Sequence, residues 1–308
     1  MKSRIVAAFA VVYLVWGSTY LGIRVAVETL PPFLLAGTRF VAAGLLLYAW
    51  ARIRGAPAPG RREWLAAVGI GILLVAGANA VVGWAEQKVP SGLAALIVAG
   101  MPLWVAVFQR VAPGGKPIGG SRLIGLVVGF GGLALLLLGR GEAVGGVPFA
   151  RMAGLVLASV SWALGSVLSR RVPLPGDSLL ASAMSMLAGG VVALGIALAT
   201  NELAGFDPAR VSVASIAAWA YLVVFGSMLA FTCFTWLVTV VDPTRVATYA
   251  YVNPVVALVL GWWLAGEPLG LRTLLAGLVI LLGLVLVLRP DPRTLPGRPR
   301  EVTEELAA

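Results

Sequence analysis

The chain has 308 residues, 60% of them hydrophobic and only 12% charged, where a soluble domain carries roughly 25% charged residues. A globule in water cannot hide that much apolar surface, whereas a bilayer makes hydrocarbon the outer solvent, so a soluble fold is excluded. The net charge of +10 does not point to nucleic acid, because the basic residues lie almost entirely between and beyond the apolar stretches, where they set membrane topology.

A spanning helix needs about 20 mostly apolar residues. In chain order that window predicts ten: 5–24, 32–51, 64–85, 91–111, 121–139, 152–171, 178–200, 216–237, 244–264 and 270–288. The basic start at Lys2 and Arg4 resembles a signal peptide, but no small-residue cleavage site follows, so the first helix is expected to stay. Turn chemistry separates the spans: Pro31-Pro32, Gly55 to Gly60, Pro90-Ser91-Gly92, Pro113 to Pro117, Pro173 to Asp177, Asp242-Pro243 and Glu267-Pro268. Residues 289–308, Pro- and Arg-rich and then acidic, read as a flexible tail.

With the amino terminus cytoplasmic, sixteen Lys and Arg fall in cytoplasmic segments and six opposite, and Arg39 lies within a helix, which accounts for all 23. That bias predicts both termini inside and an even number of spans.

An internal repeat is also legible. A shift of 152 overlays 89–136 on 241–288, matching Pro102 with Pro254, Gly125 with Gly277 and Gly131 with Gly283. A weaker shift of 146 pairs Trp16 with Trp162 and Arg24 with Arg170. Five spans per half force the second copy to be inverted, a device of secondary transporters. The expected divisions are 1–139, a connecting loop at 140–151, 152–288, and the tail.

Trp16 through Arg24, Pro31-Pro32 and Gly37-Thr38-Arg39-Phe40 resemble the opening of EamA-type transporters of the drug/metabolite transporter superfamily. The resemblance continues in Glu86 through Gly92, Pro102, Ser161 through Ser166, Ala250 through Val256 and Gly266-Glu267, and covers about residues 1–288. Within the superfamily it points to bacterial drug/metabolite or amino-acid exporters. It implies an all-α membrane protein of ten helices, two inverted five-helix repeats around a central cavity, in a bacterial cytoplasmic membrane.

Polar groups in hydrocarbon are costly and are expected to face the bundle interior. Arg39 lies about 12 Å into the second helix at 1.5 Å per residue. It either binds a carboxylate-bearing substrate or a moving gate, or forms a structural ion pair with Glu86, which is also the candidate proton site. Trp16, Ser18, Thr19 and Tyr20, with Ser161, Trp162 and Ser166 in the sixth helix, form either a cavity wall or a helix-packing seam. Tyr249, Tyr251 and Asn253 surround Pro254. Pro102 and Pro254 are candidate hinges or simple bends. Asn79 in the third helix and Thr232, Thr235 and Trp236 in the eighth are weaker lining candidates. Glu267 is expected to cap or anchor a loop.

The chain has no His, which removes imidazole metal sites, His-dependent nucleophile pairs and His relays, and its single Cys233 cannot form an internal disulfide. No Walker-type sequence is present. No enzyme activity, metal or cofactor is expected. The expected partners are a small-molecule substrate and the lipid bilayer, with no nucleic acid, in a monomer or homodimer. An importer or exchanger of the same fold, and a non-transporting scaffold subunit, are the alternatives.

Overall fold

A computed structural model describes residues 2–113, 119–138, 146–241, 246 and 248–288. The Gly114 to Pro117 loop, residues 140–145 of the connecting loop, the Asp242-Pro243 turn and the 289–308 tail lie outside the described residues. All regular structure among the described residues is helical.

Among the described residues, nine helices are long and apolar enough to cross a bilayer: α1 Lys2–Ala26, α2 Pro32–Ile53, α3 Arg61–Glu86, α4 Ser91–Val111, α5 Gly120–Leu137, α6 Phe149–Leu168, α7 Ser178–Ala199, α8 Val213–Leu237 and α10 Leu271–Leu288. Between the last two lies α9, Tyr249–Ala265, apolar but only 17 residues long. It ends at Gly266, whose φ of +63° is the left-handed conformation of a helix stop. The α6 helix starts at Phe149, a turn earlier than hydropathy predicts, because Pro148 supplies an extended residue at its N-cap. Large apolar side chains stand exposed around the bundle, among them Ile53, Trp263 and Leu271, as lipid contact requires.

Lipid tails give helices no hydrophobic reason to associate, so close approach through small residues does the work. A Cβ on Gly283 of α10 would fall well inside 3.0 Å of the backbone nitrogen of Gly129 on α5. A Cβ on Gly71 of α3 would fall as close to the carbonyl of Ser185 on α7. One on Gly17 of α1 would lie 2.5 Å from Cβ of Val256 on α9. At these crossings backbone touches backbone or a branched side chain with no gap between.

Two helices widen mid-span into π-helical turns: α3 over Ile72–Ala80 and α8 over Leu222–Leu229. Their starts are 150 residues apart, close to the repeat spacing read from the sequence. The α4 helix is broken rather than bent: its first part ends at Val98, its second starts at Met101, and Pro102 sits in the first turn of the second part. Proline is well tolerated there because that position lacks an intrahelical partner anyway. Pro254, by contrast, lies inside α9.

Two acidic caps join the halves of the sequence. The Glu202 carboxylate, just after α7, accepts from the N–H groups of Phe33 (3.1 Å) and Leu34 (3.1 Å) at the start of α2. Glu267, just after α9, accepts from Ser91 (2.7 Å) and Gly92 (3.0 Å) at the start of α4. Arg24 near the end of α1 donates to the carbonyl of Glu86 at the end of α3 (2.6 Å). These contacts define one end of the bundle, called distal here. Glu267 thus has the capping role its place before Pro268 suggests.

Candidate functional site

The polar and aromatic residues of α1 meet α2, α8 and α9 in mid-bundle. Trp16 donates its indole N–H to the carbonyl of Gly226 at 3.1 Å. That carbonyl lies in the π-helical segment of α8, where the i→i−4 ladder gives way to wider turns. The Trp16 ring lies 5.0 Å from Phe234, 6.4 Å from Phe231 and 5.2 Å, edge-on, from Tyr249. Phe234 and Tyr249 are themselves perpendicular at 5.7 Å. Beside this cage Tyr13 hydrogen-bonds Thr248.

Arg39 reaches the same stretch of α8 from α2. Its Nε donates to Oγ of Ser227 at 2.9 Å, and its guanidinium lies 4.6 Å from the Phe40 ring centre. A Cβ on Gly226 would lie 3.2 Å from an Arg39 terminal nitrogen and 3.0 Å from Cγ2 of Thr19. Glycine at 226 therefore leaves the space into which Thr19 and Arg39 project. Arg39 is buried, and among the described residues no carboxylate oxygen lies within the 4.0 Å of an ion pair; that geometry is met there by Arg210 and Asp207. The predicted Arg39–Glu86 pair is not formed, because Arg39 turns across to α8 while Glu86 is enclosed at the distal end.

Asn253, buried beside Pro254, donates to the carbonyls of Tyr249 and Tyr13 at 3.2 Å each when its amide nitrogen faces them. It ties α9 to α1 next to the tight Gly17–Val256 crossing. Trp16, Thr19, Arg39, Tyr249 and Asn253 are thus brought into one neighbourhood. The remaining sequence candidates sit elsewhere. Ser18 bonds the Tyr221 hydroxyl, and Tyr20 and Trp162 pack against the large central core. Ser166 bonds the carbonyl of Trp162, and Asn79 that of Leu74, each on its own helix. Tyr251 points to α10, where its hydroxyl donates to the Leu284 carbonyl at 3.0 Å.

Sequence reasoning missed Ser227, Phe231 and Phe234, which look like ordinary residues of an apolar span. It also missed the two π-helical segments; a glycine in each, Gly77 and Gly226, is their one visible mark. The α3 segment is met from α6 as the α8 segment is met from α1: Ser161 donates to the carbonyl of Leu73 at 2.8 Å. A separate depression of about 510 Å³ opens at the distal end between Glu28, Pro31, Trp84, Gln87, Glu202 and Phe206. None of the sequence candidates for the cavity lines it.

An all-helical bundle with a lipid-facing exterior and a buried aromatic and cationic neighbourhood at broken helices defines a polytopic membrane protein of the carrier kind. The chain belongs to the EamA-like transporter family, whose sequence pattern matches it twice, at residues 3–138 and 151–289. It is therefore a multi-pass membrane transporter of the drug/metabolite transporter superfamily. It is 40% identical to the uncharacterized inner membrane transporter YedA of Escherichia coli (strain K12) over 282 residues, 91% of this chain and 89% of that one. Protein PecM of Dickeya dadantii is 28% identical over 285 residues, 89% of this chain and 88% of its own. A solved crystal structure shares the fold with a TM-score of 0.62 at 20% identity, covering 92% of this chain and 97% of that one.

Proposed function

We propose that the protein exports small metabolites, amino acids or drug-like amphipathic compounds across the bacterial cytoplasmic membrane by alternating access. In this reading α1–α5 and α6–α10 are two inverted five-helix repeats, residues 1–139 and 152–288, and both termini are cytoplasmic. The distal end then faces outward and is closed, held by Glu202 and Glu267. The matched π-helical segments of α3 and α8, each met by a side chain from the opposite half, support the two-repeat arrangement. So does the basic-residue bias between the two sides.

The observation that carries the reading is the mid-bundle neighbourhood. Arg39 is a buried cation without a carboxylate partner among the described residues, one crossing away from the cage of Trp16, Phe231, Phe234 and Tyr249. Guanidinium suits a substrate carboxylate and the rings suit an apolar body. Asn253 and Pro254 supply the polar rim and a weak point in α9 at which the wall can move.

Counterflow in proteoliposomes tests this, with a labelled panel of neutral and aromatic amino acids, a purine nucleoside and a lipophilic cation. Saturable uptake of one class, absent from empty liposomes, is the expected result. No counterflow by folded protein for any of them would sink the substrate classes named.

A further inference from the structure

Glu86 is fully buried, and neither of its carboxyl oxygens has a hydrogen-bond partner among the described residues. An isolated buried carboxylate is among the costliest groups a fold can hold, and a bound proton removes the charge. The surrounding groups do not supply a partner instead. From α1, Arg24 spends its NH1 on the Glu86 backbone carbonyl, and the Tyr20 phenol lies within electrostatic range. From α2, Arg39 is turned to Ser227. From α4, the Ser91 hydroxyl is itself buried without a partner. Beyond α9, Glu267 adds a second acid whose two oxygens already hold Ser91 and Gly92. From α6, Arg151 bonds the carbonyl of Trp84 and the side chain of Gln87. Among the described residues no group of three His, Cys, Asp or Glu could hold a metal ion, so the ligand that fits is a proton.

We propose that the Glu86 carboxyl is a proton-binding site of the distal gate, occupied while that end is closed and emptied into water when it opens. The gate half rests on the alternating-access reading above. Glu86 and Ser91 flank the α3–α4 turn, and the start of α4 is held by Glu267. Opening at this point breaks the two Glu267 bonds and wets Glu86. The acid O–H bond then breaks, the proton passes to water, and the carboxylate is hydrated. Opening releases one proton, so raising pH on the distal side favours the open form by up to about tenfold per pH unit.

The test uses the full chain in lipid nanodiscs. Infrared spectra of wild-type and Glu86→Gln protein at neutral pH are expected to differ by the C=O stretch of a protonated carboxyl group, present in the wild type and gone in the variant. A difference confined to carboxylate bands would overturn the site. In a second arm Val89→Cys, in a Cys233→Ala background, is labelled with a maleimide across a pH series, with and without Glu86→Gln. The ratio of labelling with Glu86 to labelling with Glu86→Gln cancels the thiol's own pH dependence. It is expected to climb with pH, by up to about tenfold per unit; a flat ratio would overturn the gate. Should Glu86→Gln fail to fold, Glu86→Asp keeps an acid at the site, and the infrared band is expected to shift rather than vanish. The infrared arm needs no substrate, so its failure sinks the site, while a failed counterflow assay sinks only the export reading.

Discussion

Trp16 on α1 and Gly226 on α8, 210 residues apart in sequence, are joined by an indole-to-carbonyl hydrogen bond of 3.1 Å. Ser161 on α6 makes the matching bond to Leu73 on α3 at 2.8 Å. Each bond gives a carbonyl of a π-helical segment a side-chain partner from the other half of the chain, in a medium with no water to take its place.

Removing either donor should therefore cost stability. Trp16→Phe keeps most of the ring packing and loses the N–H, and should destabilise by about 0.5–1.5 kcal/mol, the net contribution of one buried hydrogen bond. Ser161→Ala should cost about 1 kcal/mol. Thermal unfolding in a mild detergent reads both. Thr200→Ala serves as the control, because the Thr200 hydroxyl is bonded only to its own helix. Equal melting temperatures for Trp16→Phe and wild type would show that the Gly226 carbonyl is satisfied by other means.

The α5–α10 contact makes a sharper contrast. Gly283→Ala drives a methyl group into the backbone nitrogen of Gly129, where nothing flexible can yield, so the two helices must separate. Overpacking of this kind costs about 1–3 kcal/mol. Gly131→Ala on the same pair meets nothing within 4 Å and should be neutral or gain up to about 1 kcal/mol from helix propensity. The melting temperature should fall for Gly283→Ala and hold or rise for Gly131→Ala. Equal losses would place the crossing elsewhere.

Much of this is legible in the sequence, and the limits are physical. Spans, turns and the paired glycines follow from hydropathy and punctuation, which act locally. The Gly131–Gly283 match marks a repeat, yet only Gly283 sits in the tight crossing, because a shift in helix rotation decides which glycine faces the neighbour. Pro102 and Pro254 match in sequence but not in use: one opens a helix segment and the other lies inside a continuous helix. The turn of Tyr251 toward Leu284, and of Arg39 toward Ser227 rather than Glu86, depends on helix rotation that no single-chain pattern encodes. Phe231 and Phe234 are invisible because an aromatic residue in an apolar span has no distinguishing context until its neighbours are known.

Glu202 offers a test by pH. Burial pushes its carboxyl up from the ordinary glutamate value of 4.5, against the opposing pull of the Leu34 and Phe33 N–H groups. A raised folded-state value means that the folded protein holds this proton more tightly than the unfolded chain. The contribution of Glu202 to stability is then full below pH 4.5 and declines as pH rises through the folded-state value. Glu202→Gln removes the titration. The melting temperature of wild type should fall relative to Glu202→Gln as pH is raised from 4.5, and then level off. A difference that stays constant, or that grows in favour of wild type, would mean that the anionic cap on α2 outweighs burial.

Arg39 decides the substrate chemistry. Its Nε bond to Ser227 fixes the guanidinium plane, and its buried position leaves it no carboxylate among the described residues. Lysine at 39 would keep the charge and lose the planar fork, which is what a bidentate carboxylate contact uses. Arg39→Ala and Arg39→Lys should both impair counterflow of a carboxylate-bearing substrate, by about tenfold or more at equal protein abundance, about 1.4 kcal/mol or more. Ser227→Ala should give a smaller loss, because it frees the fork without removing it. A substrate lacking a carboxylate should be affected far less by any of the three, which separates recognition from damage to the fold. Full transport of a carboxylate-bearing substrate by Arg39→Ala would remove Arg39 from the mechanism and leave the aromatic cage as the recognition element.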